Sequence, residues 1–572
     1  MHKLLLSMAI AAGLAIAGCS PESVSDNTAS QADLVFRNGA IYTVDINRSW
    51  AKAIALKNER IVFVGSDEDA EAFIGPSTRV VDLQGKMVLP GLQDSHIHPI
   101  SGGIEASKVD LNGLNTLESY KNRIHDYAVE HPGDPWILGG GWLMSVFGPG
   151  GLAGKDILDA IVPDRPVYLS SADGHSAWVN SKALEIAGIT RDTPNPPDGI
   201  IDKHPDTGEP IGSLQEGATS LVGKHVPDYS LEEQLDGLRY AVRMLNGYGI
   251  TGMQVAYSVS AEDEVYRALD DLGELSLHTV TALWWERDRG LEQIAELIER
   301  RKAFTKGKVK ATAVKIMQDG VMENYTAVML EPYKVEGGPT GIPMVDPELL
   351  KRAVTALDAE NFQVHFHAIG NGAIRQSLDA VAAAREANGN LGHRHHISHL
   401  QLIHPDDIPR FRTLDVIANF QPLWAFADEY ITELTLPFIS EETARWMYPI
   451  DSVYQAGGMI AFGSDWSVST ANPWDQIETA VTRMGSRGET NVAYLPEERI
   501  GLPEAIAAFT INAAYVNSME DEAGSLEPGK LADLVVLDRN LFAIDPRDIS
   551  ETRALLTLFR GKPVHGDIDR LQ

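Results

Sequence analysis

Cysteine is nearly absent from this sequence, whose 572 residues include only one, Cys19. A single cysteine excludes an intramolecular disulfide, so an oxidising compartment would not serve to cross-link the fold. Hydrophobic residues make up 44% of the chain and charged residues 22%, which is typical of a folded globular protein. The length exceeds what one compact core usually needs, so we expect a large domain and a smaller one.

Positive charge is also scarce. The chain has 48 Lys and Arg residues against 80 Asp and Glu residues, which gives a net charge of −32. Because nucleic-acid binding depends on Lys and Arg patches, and none stands out here, we expect no nucleic-acid partner. The charge bears on solubility and not on the chemistry of the protein.

Long apolar runs are lacking except near the amino terminus. Residues 4–18 are small and apolar, too few to span a bilayer as a mature helix but suited to the central region of a signal peptide. We therefore predict a signal peptide at residues 1–18. It ends in Ile16-Ala17-Gly18-Cys19, which resembles the lipobox of bacterial lipoproteins. The resemblance implies that Cys19 is lipidated and becomes the first residue of the mature chain.

The same resemblance sets the expected location. Ser20 follows the cysteine where an aspartate would favour the inner membrane, so the protein is expected in the bacterial cell envelope, lipid-anchored to the outer membrane and facing the periplasm. Residues 19–32 are polar and contain almost no large apolar side chain, which predicts a flexible tether. The alternative is an ordinary cleaved secretion signal that happens to contain a cysteine.

Two further patterns are missing. No short-period internal repeat is visible. No G-x-S-x-G turn accompanies a suitable Ser, His and Asp set, so a nucleophilic hydrolase is the weakest of the functions considered.

One stretch organises what is present. Leu89-Pro90-Gly91-Leu92-Gln93-Asp94-Ser95-His96-Ile97-His98 reads as a strand, and alternate residues of a strand point to the same side, so His96 and His98 present their imidazoles together. Two such nitrogens suit a divalent ion, although two histidines with other partners at a strand end are the alternative. Four later stretches each place a residue of ligand type beside a short apolar run: Val314 to Ile316, Val364 to His367, Ile397 to His399 and Ala461 to Asp465.

Ligand-type residues at several strand ends are typical of a barrel whose strands converge on a metal centre. Strands and helices alternate over residues 90–523, which favours an α/β fold, specifically a (β/α)8 TIM-like barrel. Helical spacing of apolar residues is clearest in five segments: 231–247, 291–304, 347–359, 373–387 and 503–514. The region exceeds the usual barrel length of roughly 250 residues. We assign the surplus to a Gly- and Pro-rich insertion around 112–220, expected to form loops and short pieces that cover the active-site end.

Short apolar runs separated by turn residues fill residues 33–89, for example Ala53–Leu56 and Arg60–Gly65, and predict the strands of a small sandwich.

These motifs together resemble the amidohydrolase superfamily, and more narrowly amidohydrolase family 3, the group that includes N-substituted formamide deformylases. The resemblance extends from Asp33 to about Gly561. It implies that residues 524–566, which include Leu534–Leu537, return to complete the sandwich begun by residues 33–89. A split β-sandwich domain would then bracket the barrel.

The resemblance also implies a set of metal ligands: His96, His98, Lys315, His367, His399 and Asp465. Lys315 would react with carbon dioxide to give a carbamate that bridges two divalent metals, most simply zinc. Without that reaction its ammonium would be costly to bury unpaired, and a pair with Asp319 or Glu323 is the alternative. Two positions depart from the family pattern, because Asn371 stands where an aspartate is commonest and Ser398 replaces an acid.

The neighbouring histidines have other expected roles. His365 lies two residues before His367 and is interpreted as a packed or supporting histidine, with direct metal binding as its alternative. Three others, His393, His395 and His396, lie in the approach to His399 and are expected to be structural or on the surface. His175, in Asp173-Gly174-His175-Ser176, resembles a recurrent family motif and is expected to line the substrate pocket and to donate to the carbonyl or the oxyanion. A histidine packed under a loop is the alternative.

The expected activity is hydrolysis of a non-peptide C–N bond, in an N-formyl, N-acyl or cyclic amide, by attack of a metal-bound hydroxide, with Asp465 as the base. A small amide is the expected substrate. Two alternatives remain open: a mononuclear metal-dependent deaminase that uses no carbamate, and a non-catalytic lipid-anchored binding protein. The sequence leaves the oligomeric state undetermined.

Overall fold

The computed structural model describes residues 31–148 and 151–571, and its largest element is a sheet of eight parallel strands. The strands lie side by side in chain order. They are β1 (Leu92–Ile97), β2 (Ile250–Ser258), β3 (His278–Trp284), β4 (Val309–Met317), β5 (Gln363–Ala368), β6 (His396–His399), β7 (Ile417–Phe420) and β8 (Ile460–Phe462). All eight are largely buried, as expected for a parallel sheet covered by helices. The predicted α/β barrel class is confirmed.

Side-chain hydrogen bonds join the two edge strands, β1 and β8. The Ser95 hydroxyl donates to the carbonyl oxygen of Phe462 at 2.7 Å, and the Ser464 N–H donates to Asp94 Oδ1 at 3.0 Å. The sheet is therefore nearly closed into a barrel, which brings the carboxyl ends of β1 and β8 together.

Eighteen α-helices occur in the described part of the chain. Their bounds are Asp67–Ala70, Pro99–Glu105, Leu117–Glu130, Lys155–Ile161, Ser181–Ala187, Ser220–Gly223, Leu231–Gly247, Ser260–Asp271, Ile294–Phe304, Pro347–Ala359, Asn371–Asn388, Ile408–Thr413, Glu429–Thr432, Glu441–Ala444, Ile450–Gln455, Pro473–Thr482, Leu502–Ala508 and Ile511–Val516.

Local capping explains why some helices begin where the sequence indicates. Ser230 and Glu233 form a capping box at the start of Leu231–Gly247. At the start of Pro347–Ala359, the Asp346 side chain accepts hydrogen bonds from the N–H groups of Glu348 and Leu349. The segment 503–514 differs from the prediction, because two helices meet at Thr510, whose φ and ψ of −123° and −95° are not helical.

The β-sandwich combines both ends of the described chain. One sheet has the order Arg60–Gly65, Ala53–Lys57, Leu34–Arg37, Arg79–Asp82; the other has the order Lys562–Gly566, Ala554–Phe559, Leu534–Leu537, Met87–Pro90, Ala40–Tyr42, Trp50–Ala51. Phe36 and Ile54 of the first sheet share one buried core with Val536 and Leu558 of the second. Strand Leu534–Leu537 pairs antiparallel with Met87–Pro90, so the predicted sandwich of amino- and carboxyl-terminal segments is confirmed.

The insertion differs from its prediction. It forms a six-stranded sheet, not loops, in the order Gly199–Lys203, Pro210–Glu216, Ser176–Val179, Val167–Ser171, Ile137–Trp142, Val109–Asp110. The glycines of Gly139-Gly140-Gly141 lie within a strand. A Cβ on Gly139 would lie 2.2 Å from the Val109 carbonyl oxygen, so glycine here permits close backbone approach and does not mark a turn.

At both ends of the described chain, ordered residues lie beyond the predicted limits of the sandwich. Ala32, assigned to the tether, is 2% exposed, and its N–H donates to the Phe73 carbonyl. At the other end Ile568 and Leu571 pack in the sandwich core, beyond the predicted limit at 566. The other domain limits stay predictions, and the predicted signal peptide and Cys19 lie outside the described residues. Within those residues no helix has both the length and the apolar character needed to cross a bilayer.

Candidate metal centre and active site

Four side chains converge where β1, β6 and β8 end. His96 Nε2 lies 3.3 Å and His98 Nε2 3.1 Å from Asp465 Oδ1, and His399 Nδ1 lies 3.6 Å from Asp465 Oδ2. His96, His399 and Asp465 each offer a ligand atom within 4.8 Å of the others, which no other trio of His, Cys, Asp or Glu does among the residues that the structure describes. His98 is more exposed than these three, at 28% of its side-chain surface.

The backbone that holds these groups is unusual. His399 and Asp465 have positive φ values of 79° and 54°, which non-glycine residues rarely adopt and which cluster at functional sites. Gly463 allows β8 to approach β1, since a Cβ there would lie 2.5 Å from the His96 nitrogen. Asp94 Oδ1 then accepts hydrogen bonds from the N–H groups of His96 and Ser464.

A buried chain of polar side chains lies behind His96. His365 Nε2 lies 2.8 Å from His96 Nδ1 and 2.9 Å from Ser398 Oγ, and the His365 ring packs on His396 with centroids 4.1 Å apart. The contact occupies the Nδ1 side of His96 and leaves Nε2 facing Asp465. Contacts of this kind fix the orientation of a metal-binding imidazole. His365 therefore supports His96 from behind, and Ser398, at a position where the family has an acid, takes part in that support.

Charge and burial suit a divalent cation. Burial and the neighbouring Lys315 lower the pKa of His96 to about 3, so its imidazole is neutral and can act as a ligand. Burial would raise the pKa of Asp465, but interactions with His96 and His98 hold it well below its usual range. His399 Nδ1 is buried and has no hydrogen-bond partner among the described residues. Two neutral imidazoles, one with an unpaired nitrogen, and a carboxylate form a donor set that fits zinc.

Lys315 lies on β4, with 4% of its surface exposed. It lines one cavity together with His96, His399 and Asp465. Burial lowers the pKa of its amine to about 7, partly opposed by Asp465. The alternative that it forms an ion pair with Asp319 or Glu323 is not what the structure shows, because the ion pairs within residues 31–148 and 151–571 include none to Lys315.

The His367 side chain lies beside His399, and their ring centroids are 4.4 Å apart. Its Nε2 lies 3.6 Å from Asp319 Oδ1 and 3.3 Å from the Gly320 carbonyl oxygen. Asp319 is held by three backbone N–H groups, from Val328, Ile369 and Gly370. The carboxylate beside His367 therefore comes from the loop that follows β4. Asn371, where the family commonly has aspartate, instead accepts from the Leu330 N–H.

His175 comes from the insertion and faces the barrel. Its Nδ1 lies 3.0 Å from both carboxylate oxygens of Glu216, and its ring is 5.1 Å from that of His367. Burial disfavours the charged ring, but Glu216 outweighs it and raises the pKa of His175 to about 9. The Thr326 hydroxyl donates to Glu216 at 2.7 Å. This bond holds the His175–Glu216 pair against the loop that follows β4. His175 is thus an oriented proton donor in the cavity.

The cavity around these groups has a volume of about 790 Å³. The aromatic residues Trp284 and Trp424 line it. The rings of Trp142 and Trp285 are fully buried in the core, and Phe147 packs against the Trp142 ring. A cavity of this size suits a small organic molecule.

Comparison with known proteins identifies the family. A model described as "Amidohydrolase family" matches residues 79–565, which includes β1 to β8 and all six candidate ligands. The chain belongs to the amidohydrolase family. Family membership and the candidate metal centre together make it a metal-dependent hydrolase in class, and the resemblance drawn from the sequence is confirmed.

Individual relatives of this amidohydrolase cover nearly its whole length. It is 33% identical over 549 residues to Protein LONG AFTER FAR-RED 3 of Arabidopsis thaliana, covering 93% of this chain and 92% of the relative. It is 26% identical over 544 residues to N-substituted formamide deformylase of Arthrobacter pascens, covering 92% and 97%. An uncharacterized metal-dependent hydrolase from Pyrococcus horikoshii shares the fold with a TM-score of 0.70 at 24% identity, over 90% and 99% of the two chains.

Sequence reasoning missed several groups that the amidohydrolase site uses. Glu216 and Glu323 were not proposed as site residues, although each is buried in the structure. Asp94 was within the quoted motif, two residues before His96 and so on the same face of the strand, but it was given no role. That spacing was the one available indication. For Glu216, which follows its histidine by 41 residues, the local sequence offers none.

Proposed function

We propose that this amidohydrolase cleaves a carbon–nitrogen bond other than a peptide bond, in an N-formyl, N-acyl or cyclic amide of a small molecule. One observation carries the proposal: His96, His399 and Asp465 converge within 4.8 Å at the floor of a cavity that also holds Lys315. Metal-dependent amide hydrolysis uses ligands for a Lewis-acid metal, a proton carrier and a donor for the carbonyl oxygen, and this site has residues suited to each of these tasks.

The proposed metal content is two divalent ions, most simply zinc. The residues that would hold them are His96, His98, Lys315, His367, His399 and Asp465, with Lys315 carboxylated. A carbamate on Lys315 would replace a buried and unpaired ammonium with a metal-binding anion, which removes the cost of burying that charge. Bound zinc would supply Lewis acidity, polarising the scissile carbonyl and lowering the pKa of water to about 7.

The protein's own groups account for the proton transfers. Asp465 is ionised and buried beside His98, so it can accept a proton from the attacking water and deliver it to the leaving nitrogen. His175, held protonated by Glu216, can donate a hydrogen bond to the carbonyl oxygen as negative charge develops there. The C–N bond breaks, a C–O bond forms, and the products are an acid and an amine.

A substrate screen with metal analysis tests this function. Purified protein is analysed for metals and then assayed with N-formyl, N-acyl and cyclic amides. We expect turnover in the parent and a loss of at least about 10²-fold in Asp465→Asn, because removing a catalytic proton carrier has effects of this size. Asp206→Asn, on an exposed loop, is the matched control and should keep full activity. Ammonia release with one metal ion per chain would instead establish the deaminase alternative.

We also propose that the mature protein is anchored through lipidated Cys19 to the outer membrane, facing the periplasm. The support for this is the residue pattern of the first 20 residues.

A further inference from the structure

Negative charge dominates the cavity. Seven of its lining residues are Asp or Glu, and the positive charges that line it are one Lys, one Arg and the protonated His175. Asp465 and Lys315 belong to the candidate metal centre, and Arg487 is already paired with Asp475 at 3.1 Å. Glu323 interacts electrostatically with two of the other remaining carboxylates, those of Asp173 and Asp428, and we call the three the acidic group.

Glu323 is the member that lacks a partner. It is 94% buried, since its exposed fraction is 6%, and it lines the cavity. Within the described residues it forms no ion pair, and its side chain accepts no hydrogen bond from another residue. Asp173 Oδ1 accepts from the Ser171 hydroxyl and the His175 N–H, but Asp173 Oδ2 is buried without a partner. Buried carboxylate oxygens are costly to leave unpaired. A bound molecule with a positive charge would satisfy them.

A metal ion does not fit this position. Carboxylates that share an ion must bring their oxygens close together. Among the described residues the only trio with ligand atoms within 4.8 Å is His96, His399 and Asp465. The acidic group is therefore too widely spaced to coordinate one ion, and it surrounds a larger volume.

Aromatic residues share that part of the cavity. The carboxylates of Glu323 and Asp428 act electrostatically on the hydroxyls of Tyr430 and Tyr448, and both tyrosines line the cavity. The Tyr430 hydroxyl accepts from the Met144 N–H at 3.0 Å, which fixes its ring. Carboxylates combined with aromatic rings are the setting in which proteins bind organic cations.

We propose that the molecule bound in this cavity carries an organic cation, a protonated amine or a guanidinium, on the part remote from the scissile bond, and that the acidic group binds it. The inference rests on the proposed function only in naming that molecule a substrate. Glu323 would make the closest ion pair, because among the described residues its carboxylate has no salt bridge and is attracted only by the protonated His175, which lies beyond ion-pair distance. Asp173 and Asp428 would add longer-range attraction.

Burial disfavours the ionised forms of two members of the acidic group, Glu323 and Asp428. Burial, reinforced by Asp173, raises the pKa of Glu323 to about 8, and burial raises the pKa of Asp428 to about 7. A cation placed among these carboxylates favours their ionised forms and offsets both effects.

Binding is tested without any turnover. The probes are alkylammonium chlorides of three to six carbons and the alcohols of the same length, measured by ligand-observed NMR titration on the metal-loaded protein. We expect an ammonium to bind at least about 10-fold more tightly than its alcohol, as one charge-assisted hydrogen bond would give. Glu323→Gln should remove this preference while keeping the side-chain shape. Glu262→Gln is the matched control, because Glu262 is also a largely buried acid with a raised pKa, but it does not line the cavity.

Turnover gives a second measurement. N-acetyl-1,4-diaminobutane carries an ammonium where N-pentylacetamide carries a methyl group, and homologues with two to six methylenes vary the reach. Ammonium binding that depends on Glu323 supports the inference even when no amide is hydrolysed, and in that case only the proposed function fails. Equal binding of ammonium and alcohol in the parent, or an unchanged preference in Glu323→Gln, overturns it. Calcium chloride that displaces the ammonium at equimolar concentration also overturns it, in favour of a metal site.

Discussion

Gly463→Ala should damage the metal centre without touching a ligand. A Cβ at Gly463 would lie 2.5 Å from the His96 nitrogen and 2.7 Å from the His96 Cβ. Backbone atoms cannot rotate away as the end of a flexible side chain can. Gly463 does not have a positive φ, so alanine fits its backbone conformation, and the effect of the change comes from the contact alone.

The size of the effect follows from the distance. Ordinary van der Waals contact begins at 3.4 Å, so β1 and β8 must separate by about 0.9 Å at this point. Three hydrogen bonds oppose the movement: Ser95 Oγ to the Phe462 carbonyl, the Ser464 N–H to Asp94 and the Asp465 N–H to the His96 carbonyl. Overpacking of this kind costs about 1–3 kcal/mol of folding free energy.

The same displacement moves His96 relative to Asp465. His96 Nε2 and Asp465 Oδ1 are 3.3 Å apart in the parent. Metal and catalytic sites tolerate errors of about 0.5 Å, so a shift near 1 Å should weaken metal binding and lower kcat/KM by about 10²-fold. The assays are competition with a graded chelator series for metal affinity, thermal unfolding for stability, and the amide screen for kcat/KM.

Gly133→Ala is the matched control, because no atom lies within 4 Å of the Cβ it would carry and its φ is not positive. It should behave like the parent in all three assays. If Gly463→Ala keeps the parent's metal affinity and unfolding temperature, the argument that this glycine sets the spacing between β1 and β8 is wrong.

Three further predictions address separate points. Lys315→Ala should reduce the bound metal from about two ions to one or fewer and lower activity by at least about 10²-fold, with partial rescue by acetate or propionate; unchanged metal content would refute the carbamate bridge. Burial raises the folded pKa of Glu262 from 4.5 to about 8, so its contribution to stability is present below pH 4.5 and is lost as the pH rises towards 8. The unfolding temperature should therefore fall more between pH 5 and pH 8 in the parent than in Glu262→Gln. An equal fall in both proteins would contradict the predicted direction of this pH dependence. Cys19→Ala should move the protein out of the membrane fraction of cells that secrete it, and full retention there would rule out lipidation as the anchor.

Sequence reasoning located the barrel and the candidate ligands because their causes are local. Strand periodicity places His96 and His98 on one side, and capping residues define helices such as Leu231–Gly247. Parallel strands end at one edge of a sheet, so ligand-type residues at the ends of β1, β4, β5, β6 and β8 had to meet once the barrel was recognised. The family pattern then supplied the identity of each candidate ligand, including Asp465, which resembles an ordinary turn residue in isolation.

The tertiary structure alone decided which groups support and surround those ligands. In the His175–Glu216 pair, His175 lies in the turn before strand Ser176–Val179 of the insertion and Glu216 ends strand Pro210–Glu216. The glycine-rich segment that suggested loops is part of the same sheet. The acidic group draws Asp173 from the insertion, Glu323 from the loop after β4 and Asp428 from the loop after β7. Side chains that meet across more than a hundred residues leave no local periodicity, because their proximity depends on how whole segments pack. The sequence by itself therefore determined the barrel and the candidate metal ligands, and only the packing of these loops over the barrel determined the shape and charge of the cavity beside them.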